Sequence, residues 1–142
     1  MLENLLRSSK IGVIRFWTNI PRWARATREW YRQLGCTESE LRGIQLLREW
    51  LSPEQLVQFR RHRYFDVTGC HSGKKYRICY GTATNIWELD RQGHPKAGWC
   101  FVPNEPLVPG DVMLAQKVSL ETNEWSALAV AKPFGLHWHR QR

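Results

Sequence analysis

From Thr37 onward the apolar residues recur at helical spacing. Leu41, Ile44, Leu47 and Leu51 fall three or four apart, which puts them on one stripe of a helix. Thr37 and Glu40 precede them with the spacing of a capping box, where hydroxyl and carboxylate each take an orphan amide. Ser52-Pro53-Glu54-Gln55 repeats that logic with a cap residue, a proline at the first helical position and an acceptor at the third. Leu56, Val57 and Phe59 are expected to face inward from this second helix. Upstream, Pro21 suits a helix start and Gly35 a helix stop. Between them Trp23, Thr27, Trp30, Tyr31 and Leu34 recur at helical spacing, with Arg22, Arg25, Glu29 and Arg32 on the other side. Residues 21–34 therefore read as a basic amphipathic helix. Residues 2–20 are mixed: Leu2, Leu5 and Leu6 suit a short helix, and residues 11–17 read equally as helix or extended chain.

The period changes at Tyr64. Phe65 and Val67 alternate with Asp66; residues 69–73 read as a turn; Tyr76, Ile78 and Tyr80 then alternate with Arg77 and Cys79, which is a hairpin signature. Residues 85–90 make a third strand, 91–95 a turn and 97–102 a fourth strand. Residues 103–109 form a proline-containing connection. Asp111 is placed as the N-cap of a helix through Val112, Leu114, Ala115 and Val118, with a break expected near Thr122-Asn123 and continuation through Trp125, Leu128 and Ala131. The expected fold is α+β: N-terminal helices, a four-stranded antiparallel meander, and a C-terminal helix packed on the sheet. Residues 1–35 form a basic arm, 36–133 a single domain, and 134–142 an aromatic and basic tail.

Composition agrees with one folded domain. The 142 residues are 42% hydrophobic with eight tryptophans, enough for a packed core. No run of about 18 apolar residues is present, and Arg7, Lys10 and Arg15 interrupt the N-terminus with no signal-type cleavage site after them. Four scattered cysteines, Cys36, Cys70, Cys79 and Cys100, do not make a secreted disulfide framework. A cytoplasmic protein with reduced thiols is expected.

The stretch Arg63-Tyr-Phe-Asp-Val-Thr-Gly69, with Lys75-Tyr-Arg-Ile78, Gly81, Asn85, Leu89-Asp90 and Gly93, forms one block of a pattern. Trp99-Cys-Phe-Val-Pro103, Gly110-Asp-Val-Met-Leu-Ala-Gln-Lys117 and Leu120-Glu121 complete it. The pattern resembles a group of short bacterial and phage-type proteins and covers about half of the chain, leaving the arginine-rich N-terminus outside. The resemblance implies a bacterial or phage-like setting and brings no activity, cofactor or site residue.

Charge changes the picture most. Twenty-one Lys+Arg against thirteen Asp+Glu give +8, a balance that favours polyanions. Arg22, Arg25, Arg28 and Arg32 lie on the first helix with Lys10, Arg15 and Arg7 before it; Arg60, Arg61, His62 and Arg63 form a second cluster, leading to Lys74, Lys75 and Arg77. Arginine forks match phosphate geometry. Tyr64, Tyr76, Tyr80 and Trp87 offer stacking faces if the sheet is open, although the spacing of Tyr76, Ile78 and Tyr80 equally describes a buried stripe.

Other chemistry is thinner. Cys70, His71, Cys79, His94 and Cys100 fall at or near turns, but no paired-cysteine knuckle of the zinc type is present. Cys79 and Cys100 read as core cysteines, and His137 and His139 as solvated. Cys70 beside His71 is the one suggestive nucleophile–base pair, weakened because sequence neighbours rarely present side chains to one another. Glu88 and Asp90 share a strand face, with a surface role expected. Phosphate-loop, dinucleotide, zinc-protease and serine-hydrolase motifs are missing from the sequence.

The expected function is a non-enzymatic binding module that engages nucleic acid through Arg22, Arg25, Arg28, Arg32, Arg60, Arg61, Arg63, Lys74 and Lys75, with no cofactor. The alternatives are a structural or interaction subunit of a larger assembly of phage-derived type, joined through the arm and tail, and a small enzyme or zinc protein using the Cys/His turns. A membrane surface is the least expected partner.

Overall fold

A computed structural model describes residues 35–135. The chain divides into two units, Met1–Thr37 and Glu38–Arg142, and the elements below belong to the second. The basic arm, with Arg22, Arg25, Arg28 and Arg32, and the tail beyond residue 135 lie outside the described residues.

Two helices open the unit, α1 (Glu38–Trp50) and α2 (Pro53–His62). Leu41, Ile44 and Leu47 form the buried stripe of α1, as their spacing predicts. The capping box of α2 is complete: Ser52 Oγ accepts from Gln55 N at 3.2 Å, and Gln55 Oε1 accepts from Ser52 N at 3.1 Å. Phe59 is the buried anchor of α2, whereas Val57, expected inside, is 62% exposed. Ten residues give this helix a narrow inner face, and that face is used by Phe59.

The sheet is an antiparallel meander in the order β1 (Tyr64–Thr68), β2 (Lys75–Cys79), β3 (Ile86–Leu89), β4 (Pro95–Cys100), β5 (Lys132–Phe134). It has five strands, not four. The fifth forms where the chain leaves the last helix and returns along β4, pairing Gly98 with Phe134 and Cys100 with Lys132. Pro133 lacks an amide and is tolerated there because β5 is an edge. The register pairs Phe65 with Ile78 and Ile78 with Ile86, and Val67 with Tyr76. These residues are all buried and define the core face.

The last helix, α3 (Pro109–Val130), packs on α1 and on β1 and β2. It starts at Val108 with Pro109 as first residue, so Asp111 lies in its first turn and is not the cap. Its crossing with α1 is a backbone contact: a Cβ on Gly110 would lie 2.1 Å from the carbonyl carbon of Gly43. Only glycine admits that approach. The buried stripe of α3 runs through Val112, Met113, Gln116, Leu120, Glu124 and Ala127. Leu114, Ala115 and Val118 are more exposed, and Val118 shows 40% of its surface. Two polar residues thus occupy core positions, and each is satisfied. Gln116 and Asn85 exchange amide hydrogen bonds at 2.9 and 3.0 Å, and Asn85 also donates to the carbonyl of Cys79 at 3.0 Å.

The free edge of β1 is covered by α2. Gln58 Oε1 accepts from Asp66 N at 2.9 Å, and Gln55 Nε2 donates to Asp66 O at 2.9 Å. An edge strand is a template for unwanted pairing, and these two glutamines close its middle position. No helix among the described residues is long and apolar enough to cross a membrane.

Candidate functional site

The residues connecting β1 to β2 carry the densest chemistry among the described residues. Gly73 N donates to Gly69 O at 3.1 Å, closing a single helical turn, and Gly69 N donates to Lys74 O at 2.8 Å. Such a turn leaves its first amides without internal acceptors. The carboxylate of Glu124 supplies them. Oε2 accepts from His71 N at 2.9 Å and Ser72 N at 2.8 Å; Oε1 accepts from Tyr76 Oη at 2.7 Å and from Ser72 Oγ. A carboxylate has about four lone-pair sites, and all four are filled. Gly69 makes room for it, since a Cβ there would fall 2.4 Å from the carboxylate carbon.

Glu124 reaches the turn because α3 breaks immediately before it. Asn123 has φ −150° and ψ 61°, outside the helical region. Cys70 bonds to both sides of the break: its amide donates to Leu120 O at 3.1 Å, and Glu124 N donates toward its sulfur at 3.5 Å. Burial alone raises the pKa of Glu124, but the donors of Ser72, Tyr76 and His71 outweigh it and hold the group down to about 2. Glu124 is therefore ionised at neutral pH. Burial, with the hydrogen bond it donates to Glu124, pushes the Tyr76 hydroxyl up, which keeps it a neutral donor.

Cys70 and His71 are exposed at the mouth of this turn, with Sγ 3.1 Å from Nδ1. The expectation that neighbours would not face one another is corrected here. In a strand consecutive side chains point to opposite faces, but in a helical turn they diverge by only about 100°. The His71 ring also lies 5.8 Å from that of Trp125. Cys70, His71 and Glu124 are the one described group with metal-ligand atoms within 4.8 Å of one another. Because the oxygens of Glu124 are saturated, the group presents two available ligands, fewer than a structural or catalytic zinc site uses. Cys79, Cys100 and His94 do not join it. Burial pushes the Cys79 thiol up; Cys100 Sγ accepts from Thr84 N at 3.4 Å; His94 Nδ1 lies 3.7 Å from Asp90.

The cationic positions separate into two places. Arg60 and Arg61 occupy the last turn of α2, and Arg63 follows in a left-handed conformation with φ 61°. Its guanidinium lies 4.0 Å from the centre of the Tyr80 ring. Lys74 and Lys75 sit at the opposite end of the hairpin, since Tyr64 pairs with Cys79 and Thr68 with Lys75. That is about 13 Å along β1. Lys74 is 3.1 Å from the buried Glu88, so the strand carboxylate at position 88 is engaged by a cation. Asp90 instead builds the β3–β4 turn, accepting from His94 N at 2.8 Å and Gln92 N at 2.9 Å. Arg77 is held by its cross-strand partner Asp66 through two bonds of 2.8 and 3.0 Å, and lies 4.0 Å over Tyr64. Of the stacking candidates, Tyr76 is fully buried, while Tyr64, Tyr80 and Trp87 are partly exposed.

No protein-family model, curated protein or solved structure matches the chain.

Proposed function

We propose that this protein is a non-enzymatic binding module that engages nucleic acid through cationic segments carried by a nearly neutral body. The supporting observation is the segregation of charge. Residues 35–135 hold twelve Lys+Arg against eleven Asp+Glu, a net of +1, so seven of the molecule's eight excess positive charges belong to the flanking segments. On the body, several cations have acidic partners: Arg77 with Asp66, Lys74 with Glu88, Lys117 with Glu121, Arg42 with Glu38. The reading rests on the clustered arginines Arg22, Arg25, Arg28 and Arg32, with Arg60, Arg61 and Arg63 at the end of α2 as the second cluster. Lys74 and Lys75 are the weaker members of the set.

Titration of labelled single-stranded and duplex oligonucleotides at 50 and 200 mM salt tests it. Affinity should fall steeply with salt, and the quadruple variant R22A/R25A/R28A/R32A should flatten the log–log slope by about 0.7 per lost phosphate contact on single strands. Salt-insensitive binding, or none, sinks the proposal. A second reading, a subunit of a larger assembly, is favoured by Trp50 and Trp125, which are 60% and 59% exposed. Large aromatics of that exposure are favoured interface anchors. A strict monomer by light scattering across a hundredfold concentration range argues against it.

A further inference from the structure

We propose that Cys70 is a modification site: a nucleophilic thiol, with His71 as its base, that forms mixed disulfides with low-molecular-weight disulfides. The geometry supplies each part of the step. Cys70 and His71 are both exposed, and Sγ is within hydrogen-bond reach of Nδ1 at 3.1 Å. In the tautomer carrying its proton on Nε2, the ring accepts the thiol proton at Nδ1. The amide of Glu124, just after the helix break, lies 3.5 Å from the same sulfur and donates toward it. The ionised carboxylate of Glu124 is within 4.8 Å of both groups. Its negative charge lies where it can stabilise the imidazolium that forms as His71 takes the proton during attack.

The pair is also held rigidly. Glu124 clamps the amides of residues 71 and 72, and the Cys70 amide is tied to Leu120 O, so neither backbone is free to swing the groups apart. The step balances without a further reactant. The thiol proton passes to Nδ1; the sulfur attacks one sulfur of R–S–S–R; the reagent's S–S bond breaks as the Cys70–S–S–R bond forms; the proton on the imidazolium then passes to the departing thiolate or, where that thiolate is weakly basic, to water. Cys70 is oxidised and half of the reagent is reduced.

The other three cysteines serve as internal references. Cys36, Cys79 and Cys100 are partly buried, and Cys100 accepts a backbone amide. The test treats the intact chain at pH 7 with a small aromatic disulfide whose thiolate product is coloured, and maps each adduct by mass spectrometry. Cys70 should react about tenfold faster than the other three, and H71N should slow it about tenfold while leaving the others unchanged. Exposure alone explains the first result but not the second. Cys70 reacting no faster than Cys36, or H71N matching the wild-type rate, overturns the proposal.

Discussion

Burying a carboxylate in an apolar interior ordinarily drives it to take a proton, and at Glu124 four donors reverse that preference. Hydrogen bonds to an ionised acceptor contribute about 1.5–3 kcal/mol each, net of the bonds to water they replace. E124A should therefore lose about 3 kcal/mol or more in urea unfolding, since it leaves amides and hydroxyls of the turn without an acceptor. E124Q keeps the shape but turns an NH₂ group toward donors, and about 2 kcal/mol should be lost. The pH dependence has a definite sign. The folded pKa, about 2, lies below the ordinary carboxylate value of 4.5, so the contribution of Glu124 is complete above about pH 4.5 and disappears as pH falls toward 2. The stability gap between wild type and E124Q should narrow across that window; a constant gap would show that the negative charge is not what holds the turn. Nothing in the local sequence marks this residue. Its partners His71, Ser72 and Tyr76 are 48 to 53 positions away, and a glutamate between Asn123 and Trp125 reads as helix surface.

The same contact decides the shape of α3. The helix breaks at Asn123, and asparagine is a poorer helix former than alanine by roughly 0.5 kcal/mol. That is small against the bonds Glu124 makes only when the helix is broken. N123A should therefore keep the break, with stability changed by less than about 1 kcal/mol and helical ellipticity unchanged; a gain in ellipticity would show that asparagine itself sets the kink. The break was legible from Thr122-Asn123, as were α1, the capping box of α2 and the first four strands, because each follows from spacing or cap chemistry within a few residues. Features made by distant contacts were not. The inner stripe of α3 includes Gln116 and Glu124, whose apolar-looking role appears only beside Asn85 and Tyr76. Lys132–Phe134 has three residues and a proline, too short for alternation to register, and becomes a strand because β4 has a free edge. The Cys70–His71 pair was visible as a dipeptide, but its facing geometry depends on the turn being helical.

For the molecule as a whole, folding and binding should respond differently to salt. Ion pairs on the body are local, and several are strengthened by geometry: Arg77 grips Asp66 at two points, and Lys117 lies one helical turn from Glu121. With twelve cations against eleven anions, residues 35–135 carry little net charge to repel itself. Screening lengths fall from about 10 Å at 0.1 M salt to about 3 Å at 1 M. That range removes attraction between exposed charges and phosphates, but has little long-range repulsion to relieve within a neutral body. The unfolding free energy should therefore change by less than about 1 kcal/mol between 0.05 and 0.5 M sodium chloride, while the proposed nucleic-acid affinity should fall by orders of magnitude over the same interval. Parallel urea titrations and oligonucleotide titrations on one preparation make the comparison. A body strongly stabilised by salt would mean that the excess positive charge acts inside the cooperative unit, and the division between a neutral scaffold and cationic segments would then fail.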